Sequence, residues 1–491
     1  MSTLRERMAT LLSDPARMPG ATPGLRGRVL VSVVLMVMVG VTAVGVILFG
    51  STPERIAYDQ DRYHVPAIRT FAAEMPTPNL KDYLSATTPG YHLALAVIAR
   101  QIDDSLTTLR LSGMVFGLGL IGTLGWWVSG RAPGVGGLAL CLPIAGSIYV
   151  FGPTAWVLPD NAAWWAVLGI VLLALRGRLD MVAVTGYVGL FVLLVFVRQV
   201  HVWAMGVALC AAWLGDAGSR RRGPAVGADQ TEPALLSLDD LDGLFSGGAG
   251  LGDRIARVGG AVMASLPALA MLAGFVALWG GLTPPGNINP VGEDAPANFH
   301  GRLHGGNGAT PALILSLVAL YAPLLAAYWW RSAADLCRRG WWVMIAAALI
   351  GLVAAAVPAT TYSVEAGRWT GLWNLAARLP TVMGHSSILL LLLAPIGAAV
   401  IAAMTHGLRH RERWIMLGTL VAFAVAQSAS KESWQRYLEP MLLMLMAVMC
   451  ALLAERAWSG RTTRPRWEVI AEVAGPLMLG VGLAVVGVVV S

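Results

Sequence analysis

RVLVSVVLMVMVGVTAVGVILFG, residues 28–50, decides the fold. The run carries one charge, at its first position, and none after it. A helix needs about 20 such residues to cross ~30 Å of hydrocarbon. Polar and apolar residues do not alternate along it, so a strand of a membrane barrel is excluded. Comparable runs recur at about 107–128, 133–151, 161–176, 180–197, 200–215, 257–281, 310–330, 341–358, 386–405, 414–428, 437–456 and 467–490, which makes thirteen with the first. The sequence predicts an all-α polytopic membrane protein.

The composition agrees. Of 491 residues, 56% are hydrophobic and 13% charged, where a soluble domain carries about a quarter charged. That excludes a soluble enzyme, a disordered chain and a secreted disulfide scaffold. Cys141, Cys210, Cys337 and Cys450 are scattered through apolar runs and form no metal spacing. The net charge is +7. The basic residues sit mostly in short loops, so they set topology and point to no nucleic-acid partner. Arg5, Arg7, Arg17, Arg26 and Arg28 precede the first run, which reads as an uncleaved first span with a cytoplasmic N-terminus. Arg131, Arg176, Arg178, Arg331, Arg338, Arg339, Arg409, Arg411, Arg413, Arg456, Arg461, Arg464 and Arg466 then fall in alternate loops, inside on this count. The expected location is the plasma (inner) membrane, with the C-terminus outside. Only Lys81 and Lys431 are lysines, a bias that fits genome base composition, with a phosphate preference added or not.

Three parts are expected: a transmembrane module over 1–215, a cytoplasmic Gly-rich linker over 216–256 led by Arg220, Arg221 and Arg222, and a second module over 257–491. Residues 51–106 form a long first outer loop. Its stretch 91–99 is apolar but too short to span, so it suits an interfacial or re-entrant helix.

Topology leaves several polar residues unexplained, all on the expected outer face. Residues 58–66 read YDQDRYHVP, with Asp59, Asp61, Arg62, Tyr63 and His64. Carboxylates at a bilayer surface can serve as a general base or hold a divalent ion, and an ordinary solvated loop is the competing reading. Thr87-Thr88-Pro89-Gly90 punctuates the loop as a hinge, and His92 behind it could simply face the interface. Asp160 is open to two readings, an N-cap or a carboxylate turned into the same cavity as Asp61. Arg198, Gln199, His201 and Trp203 meet at membrane level, where they are costly unless paired or facing a polar cavity. Arg198 alone could snorkel. In the loop 282–309, Glu293, Asp294, His300, Arg302 and His304 recur, but HGRLHGG is a poor helix for a metal pair. Lys431, Glu432, Trp434, Gln435, Arg436, Tyr437 and Glu439 precede the twelfth run. They read as a sugar and phosphate site or as an interfacial anchor belt.

The set resembles the GT-C type membrane glycosyltransferases. More narrowly, it is similar to the family of the dolichyl-phosphate-glucose-dependent α-1,2-glucosyltransferase, with the composition of a bacterial relative. That family carries an acidic pair, two residues, then His-x-Pro, and here Asp61 is followed by Arg62, Tyr63 and His64-Val65-Pro66. Its Thr-Thr-Pro-Gly turn is matched by Thr87 to Gly90, its Arg-Gln motif by Arg198 to Trp203, and its Arg-Tyr-x-x-x-Pro motif by Arg436-Tyr437-Leu438-Glu439-Pro440. There are departures. Gln60 stands at the first acid position with Asp59 one place early, and His201 replaces an asparagine.

The resemblance implies a GT-C bundle and an inverting transfer of glucose, or another hexose or pentose, from a polyprenyl-phosphate-linked donor. The acceptor would be a glycan or lipid-linked molecule on the extracytoplasmic face. Asp61 would be the general base, with Asp59 supporting it or exchanging with it. Arg198, Arg436, Lys431 and Gln199 would hold the donor phosphate. His64, His201, Tyr63, Asp160, Trp203, Trp434 and Glu432 would contact sugar or acceptor. Asp59 and Asp61 admit a divalent metal, although a base needs none. The chain is expected to act as a monomer among membrane lipids. The rival readings are a polyprenyl-lipid flippase or transporter and a glycan ligase or polymerase. Transporters place charges near the midplane and show matched halves, and neither is evident here.

Overall fold

The computed structural model describes residues 24–50, 54–132, 134–177, 179–215, 250–288, 305–458 and 465–490. Glu293, Asp294, His300, Arg302 and His304, and most of the expected 216–256 linker, lie outside them. In chain order the helices are α1 (Leu25–Phe49), α2 (Glu54–Asp59), α3 (Val65–Glu74), α4 (Gly90–Gln101), α5 (Leu106–Ser129), α6 (Val135–Gly146), α7 (Ile148–Ala155), α8 (Asp160–Leu175), α9 (Met181–Val197), α10 (Met205–Leu214), α11 (Leu251–Trp279), α12 (Thr310–Tyr321), α13 (Ala326–Arg339), α14 (Trp341–Ala356), α15 (Leu372–Ala376), α16 (Ile388–His406), α17 (His410–Ser428), α18 (Gln435–Trp458) and α19 (Arg466–Val490). One antiparallel pair, β1 (Thr381–Val382) with β2 (Ser386–Ser387), sets Thr381 opposite Ser387.

The thirteen apolar stretches are all helical, but they are not alike. Among the described residues, seven helices are long and apolar enough to cross a membrane: α1, α5, α11, the rod Thr310–Arg339, α16, α18 and α19. The 133–151 stretch divides into α6 and α7, bent by 72°, and counts as an eighth if the pair is one span. Pro143 has no N–H to give the helical ladder, and Ser147 is extended at the break. The other five stretches are α8, α9, the 199–214 segment, α14 and α17. The first four are shorter apolar helices of 10–17 residues. The last opens on His410, Arg411, Glu412 and Arg413.

The two expected modules share one core, which runs from Val31 to Leu479. α9 and α10 pack on α11, and α6 packs on α19. The expected linker is shorter than 216–256, because α11 already begins at Leu251. α18 is central, with 94% of its span inside the protein, against 22% for α11 and for α19. α14 buries only Gly351 and Ala355 and exposes Trp341, Trp342, Ile345, Leu349 and Ile350. An apolar face of that extent is stable against hydrocarbon, not water.

Polar groups gather at the two ends of the bundle. One end pairs Arg131 with Glu455 at 3.4 Å, Arg331 with Glu468, and Asp335 with both Arg339 and His406. The other end carries α2 to α4, the starts of α8, α12 and α18, and the break between α9 and α10. Nearly every candidate residue lies there.

Small residues set how closely the helices approach. A Cβ on Gly397 of α16 would collide with the Leu315 carbonyl of α12, whereas Gly274 of α11 has nothing within 4 Å. Gly397→Ala should therefore lower stability by about 1–3 kcal/mol through overpacking. Gly274→Ala should not. Thermal unfolding of the two purified variants in detergent checks the contrast.

Candidate active site

The segment 58–66 does not form one regular helix. Residues Gln60–His64 make a π-turn between α2 and α3, closed by Val65 N–H on the Gln60 carbonyl. In an α-helix, residues five apart point about 140° away from each other. A π-turn brings them onto one face. Asp59 and His64 consequently look the same way, close enough to interact electrostatically. The structure thus sets Asp59, and not Asp61, beside His64. Asp61 is exposed, accepts a hydrogen bond from Gln60 Nε2 at 2.7 Å and neighbours Arg110. Gln60 itself is fully buried, its Oε1 accepting from Arg110 Nε at 2.9 Å and from Val157 N at 3.1 Å.

Asp59 meets the start of the central helix. Arg436 Nη1 donates to Asp59 Oδ2 at 2.7 Å, and Nη2 donates to the Tyr437 hydroxyl at 2.6 Å. Burial alone would raise the Asp59 carboxyl. Arg436, with His64 and the hydrogen bond from Arg436, brings it below the ordinary carboxylate range. A second pair stands beside the first. Arg198, extended at the end of α9, donates to Asp160 at the start of α8. Pro159 is the N-cap of α8 and Asp160 its first residue, so Asp160 is not the cap. Both guanidiniums lie over Tyr437, 5.2 Å (Arg198) and 4.7 Å (Arg436) from the ring centre. Trp434 stacks on the other aromatic neighbour, 5.5 Å from Tyr437, and meets Trp369 edge-on at 5.4 Å.

His64 and His92 share one hydrogen bond at 2.9 Å, ring over ring. Burial pushes His64 down to about 4, against the pull of Asp59 and Asp160, and pushes His92 well below its ordinary value. Both imidazoles are neutral near pH 7. Tyr63 packs edge-on to Tyr58 at 6.0 Å, and burial pushes its hydroxyl up to about 12. Glu432 lies just before Arg436 in the chain. Burial pushes it up to about 7, with Arg436 pulling down and Asp59 pushing up.

Three expected ligands do other work. Gln199 spends its amide on backbone. Nε2 donates to the carbonyls of Ala86 and Leu282, both at 2.8 Å, and Oε1 accepts from Thr88 N at 3.1 Å. With Thr88 Oγ1 on the Val195 carbonyl at 2.6 Å, this docks the Thr-Thr-Pro-Gly turn onto the α9 terminus. Gly90 is required there, since a Cβ would sit 2.6 Å from the Phe196 carbonyl. Trp203 is packed in the core, 5.3 Å from Phe423, and offers no open platform. Lys431 lines a separate cavity with Arg368. His201 is buried against Trp164 at 4.4 Å, and neither ring nitrogen has a hydrogen-bond partner among the described residues. The Asp59/Asp61 pair turns to different partners, and among the described residues no three metal-ligating side chains converge.

Sequence reasoning missed Arg110 and Trp369, read His92 as able to face the interface, and gave Tyr437 no separate role. Only Tyr437 carried a signal, its place in the Arg-Tyr motif. Glu439 is likewise structural: buried in α18, it accepts from Ser147 Oγ at 2.6 Å, Tyr321 OH at 2.7 Å and Gln435 Nε2 at 2.6 Å. It fastens the α6–α7 bend to the central helix.

No protein-family model matches the chain, and neither does any curated protein or solved structure.

Two predictions arise from these charges. Asp160→Asn leaves Arg198 uncompensated and should cost ~3–5 kcal/mol, with much of it recovered when Arg198→Met is added to Asp160→Leu. Melting midpoints of the three variants check this. Glu432 holds its proton more tightly when folded than its ordinary 4.5. Its contribution is complete below about pH 4.5 and is lost as pH rises through about 7. The wild-type midpoint should therefore fall more between pH 5 and 8 than that of Glu432→Gln.

Proposed function

We propose that this protein is an integral-membrane glycosyltransferase of GT-C type. It moves a sugar from a polyprenyl-phosphate donor to a hydroxyl of a glycan or lipid-linked acceptor, on the extracytoplasmic face, with inversion. In this reading all thirteen apolar helices belong to the membrane bundle. The observation that carries it is the convergence of two carboxylate–arginine pairs, Asp59–Arg436 and Asp160–Arg198, on Tyr437 at one end of an apolar bundle.

The chemistry follows from the charges. The four groups sum to zero while paired. A donor phosphodiester entering between the arginines competes for them, because guanidinium forks suit phosphate oxygens. Asp59 then loses the cation that depresses it and becomes a better base. It accepts the acceptor's hydroxyl proton as that oxygen attacks the anomeric carbon. The bond from the anomeric carbon to the phosphate oxygen breaks, and its electron pair leaves with the polyprenyl phosphate. That group gains one negative charge, which Arg198 and Arg436 receive in a site already oriented for it. Attack opposite the leaving group inverts the anomeric centre. The buried, hydrogen-bonded His64–His92 pair borders Asp59 and fixes its side of the site. The location of the charged groups at helix ends favours this reading over a transporter, whose sites lie near the midplane.

The test is sugar release from polyprenyl-phosphate-glucose by the purified protein in lipid, with a membrane extract as acceptor. Mannose, arabinose and galactose donors run in parallel. Asp59→Asn should cut the rate by ~10²–10⁴. Arg436→Gln should cut it by ~10²–10³. Asp61→Asn should stay within a few-fold of wild type. Failure with all four donors, together with movement of a labelled prenyl lipid between leaflets, would mean a flippase instead.

A further inference from the structure

A second cationic pocket opens near the Asp59 centre, and no step above uses it. Its volume is about 250 Å³, and Gly306, Asn307, Gly308, Ala359, Arg368 and Lys431 line it. Arg368 is 7% exposed. Its Nη1 donates to the Ala359 carbonyl, and its Nε has no partner among the described residues. Neither Arg368 nor Lys431 meets a carboxylate within ion-pair distance among the described residues, and no acid lines the pocket. Two buried or half-buried cations without counter-charge among the described residues are expensive at the end of an apolar bundle.

The surrounding chain holds this arrangement rigidly. Asn307 Nδ2 donates to the carbonyls of Ala366 at 3.0 Å and Lys431 at 2.8 Å. Asn307 Oδ1 accepts from Ala309 N at 3.2 Å, at the start of the twelve-residue helix α12. Thr310 N donates to the Asn307 carbonyl at 3.2 Å and Pro311 has no N–H, so an anion here is left to the two side chains. Gly367 has φ +67°, and a Cβ there would sit 2.7 Å from the Lys431 carbonyl. Arg368 and Ser363 exchange backbone hydrogen bonds at 2.8 and 2.9 Å.

We infer that this pocket is a second oxyanion site, built by Arg368 and Lys431 to take a phosphate or carboxylate group. It is joined to the first by the segment 431–437, with Lys431 at one site and Arg436 at the other. Trp369, next to Arg368 in the chain, meets Trp434, which stacks on Tyr437. If the chain is the glycosyltransferase proposed above, the anion belongs to the acceptor, whose hydroxyl must reach Asp59. The site itself does not depend on that reading.

Equilibrium dialysis of radiolabelled inorganic phosphate against the full chain in maltoside micelles tests it. Wild type should bind phosphate at two sites. Arg368→Gln and Lys431→Gln should each weaken one of them ~10- to 100-fold, the worth of a charged hydrogen bond. Arg436→Gln should leave that site intact. Arg368→Lys, which keeps the charge, guards against a folding defect in the glutamine variant. Competition by glucuronate against glycerol phosphate then tells a glycan carboxylate from a lipid-type phosphate. Unchanged phosphate binding in both Lys431→Gln and Arg368→Gln, or binding lost only with Arg436, overturns the proposal. Phosphate held by Arg368 in a protein that transfers no sugar leaves the site standing and removes only the identity of the anion's carrier.

Discussion

Two arginines at the end of an apolar bundle have to be neutralised. Arg198 is largely buried and Arg436 partly so, and an unpaired guanidinium at membrane level costs far more than at a soluble surface. The structure meets the demand with Asp160 and Asp59. Much of the local architecture serves that pairing. The π-turn at Gln60–His64 rotates Asp59 into place. Gln199 ties the Thr-Thr-Pro-Gly turn to the end of α9, which fixes the extended Arg198. Glu439 locks the α6–α7 bend to α18, and so places the end from which Arg436 projects.

The membrane class and the helical stretches were legible in the apolar runs alone, since length and hydropathy are local properties. Boundaries were less so. The bend at Ser147 depends on a proline and on Glu439, 292 residues away. The onset of α11 at Leu251 was hidden by a Gly-rich approach that reads as linker.

The candidate site was half legible. Arg198, Asp160, Glu432 and Arg436 stood out because charge is rare at membrane level. The choice between Asp59 and Asp61 was not readable, because it turns on one π-turn that shifts a face by one residue. His92 was hidden for the opposite reason. A histidine in an apolar dodecamer looks like an interfacial residue until its partner His64 is placed 2.9 Å away. Gln199 and Trp203 misled because an amide and an indole near a polar turn serve structure as readily as ligands.

The Asp59–Arg436 contact joins residues 377 positions apart. At ~5–20 residues per second, the ribosome makes Arg436 roughly 20–75 s after Asp59. Asp160 and Arg198 are only 38 apart and pair within seconds. During the interval Asp59 waits in a hydrated segment, where a lone carboxylate is cheap. Arg436 arrives at the head of the most enclosed helix, where a lone guanidinium is not. The order of synthesis thus delivers the costly ion last, to a partner already in position.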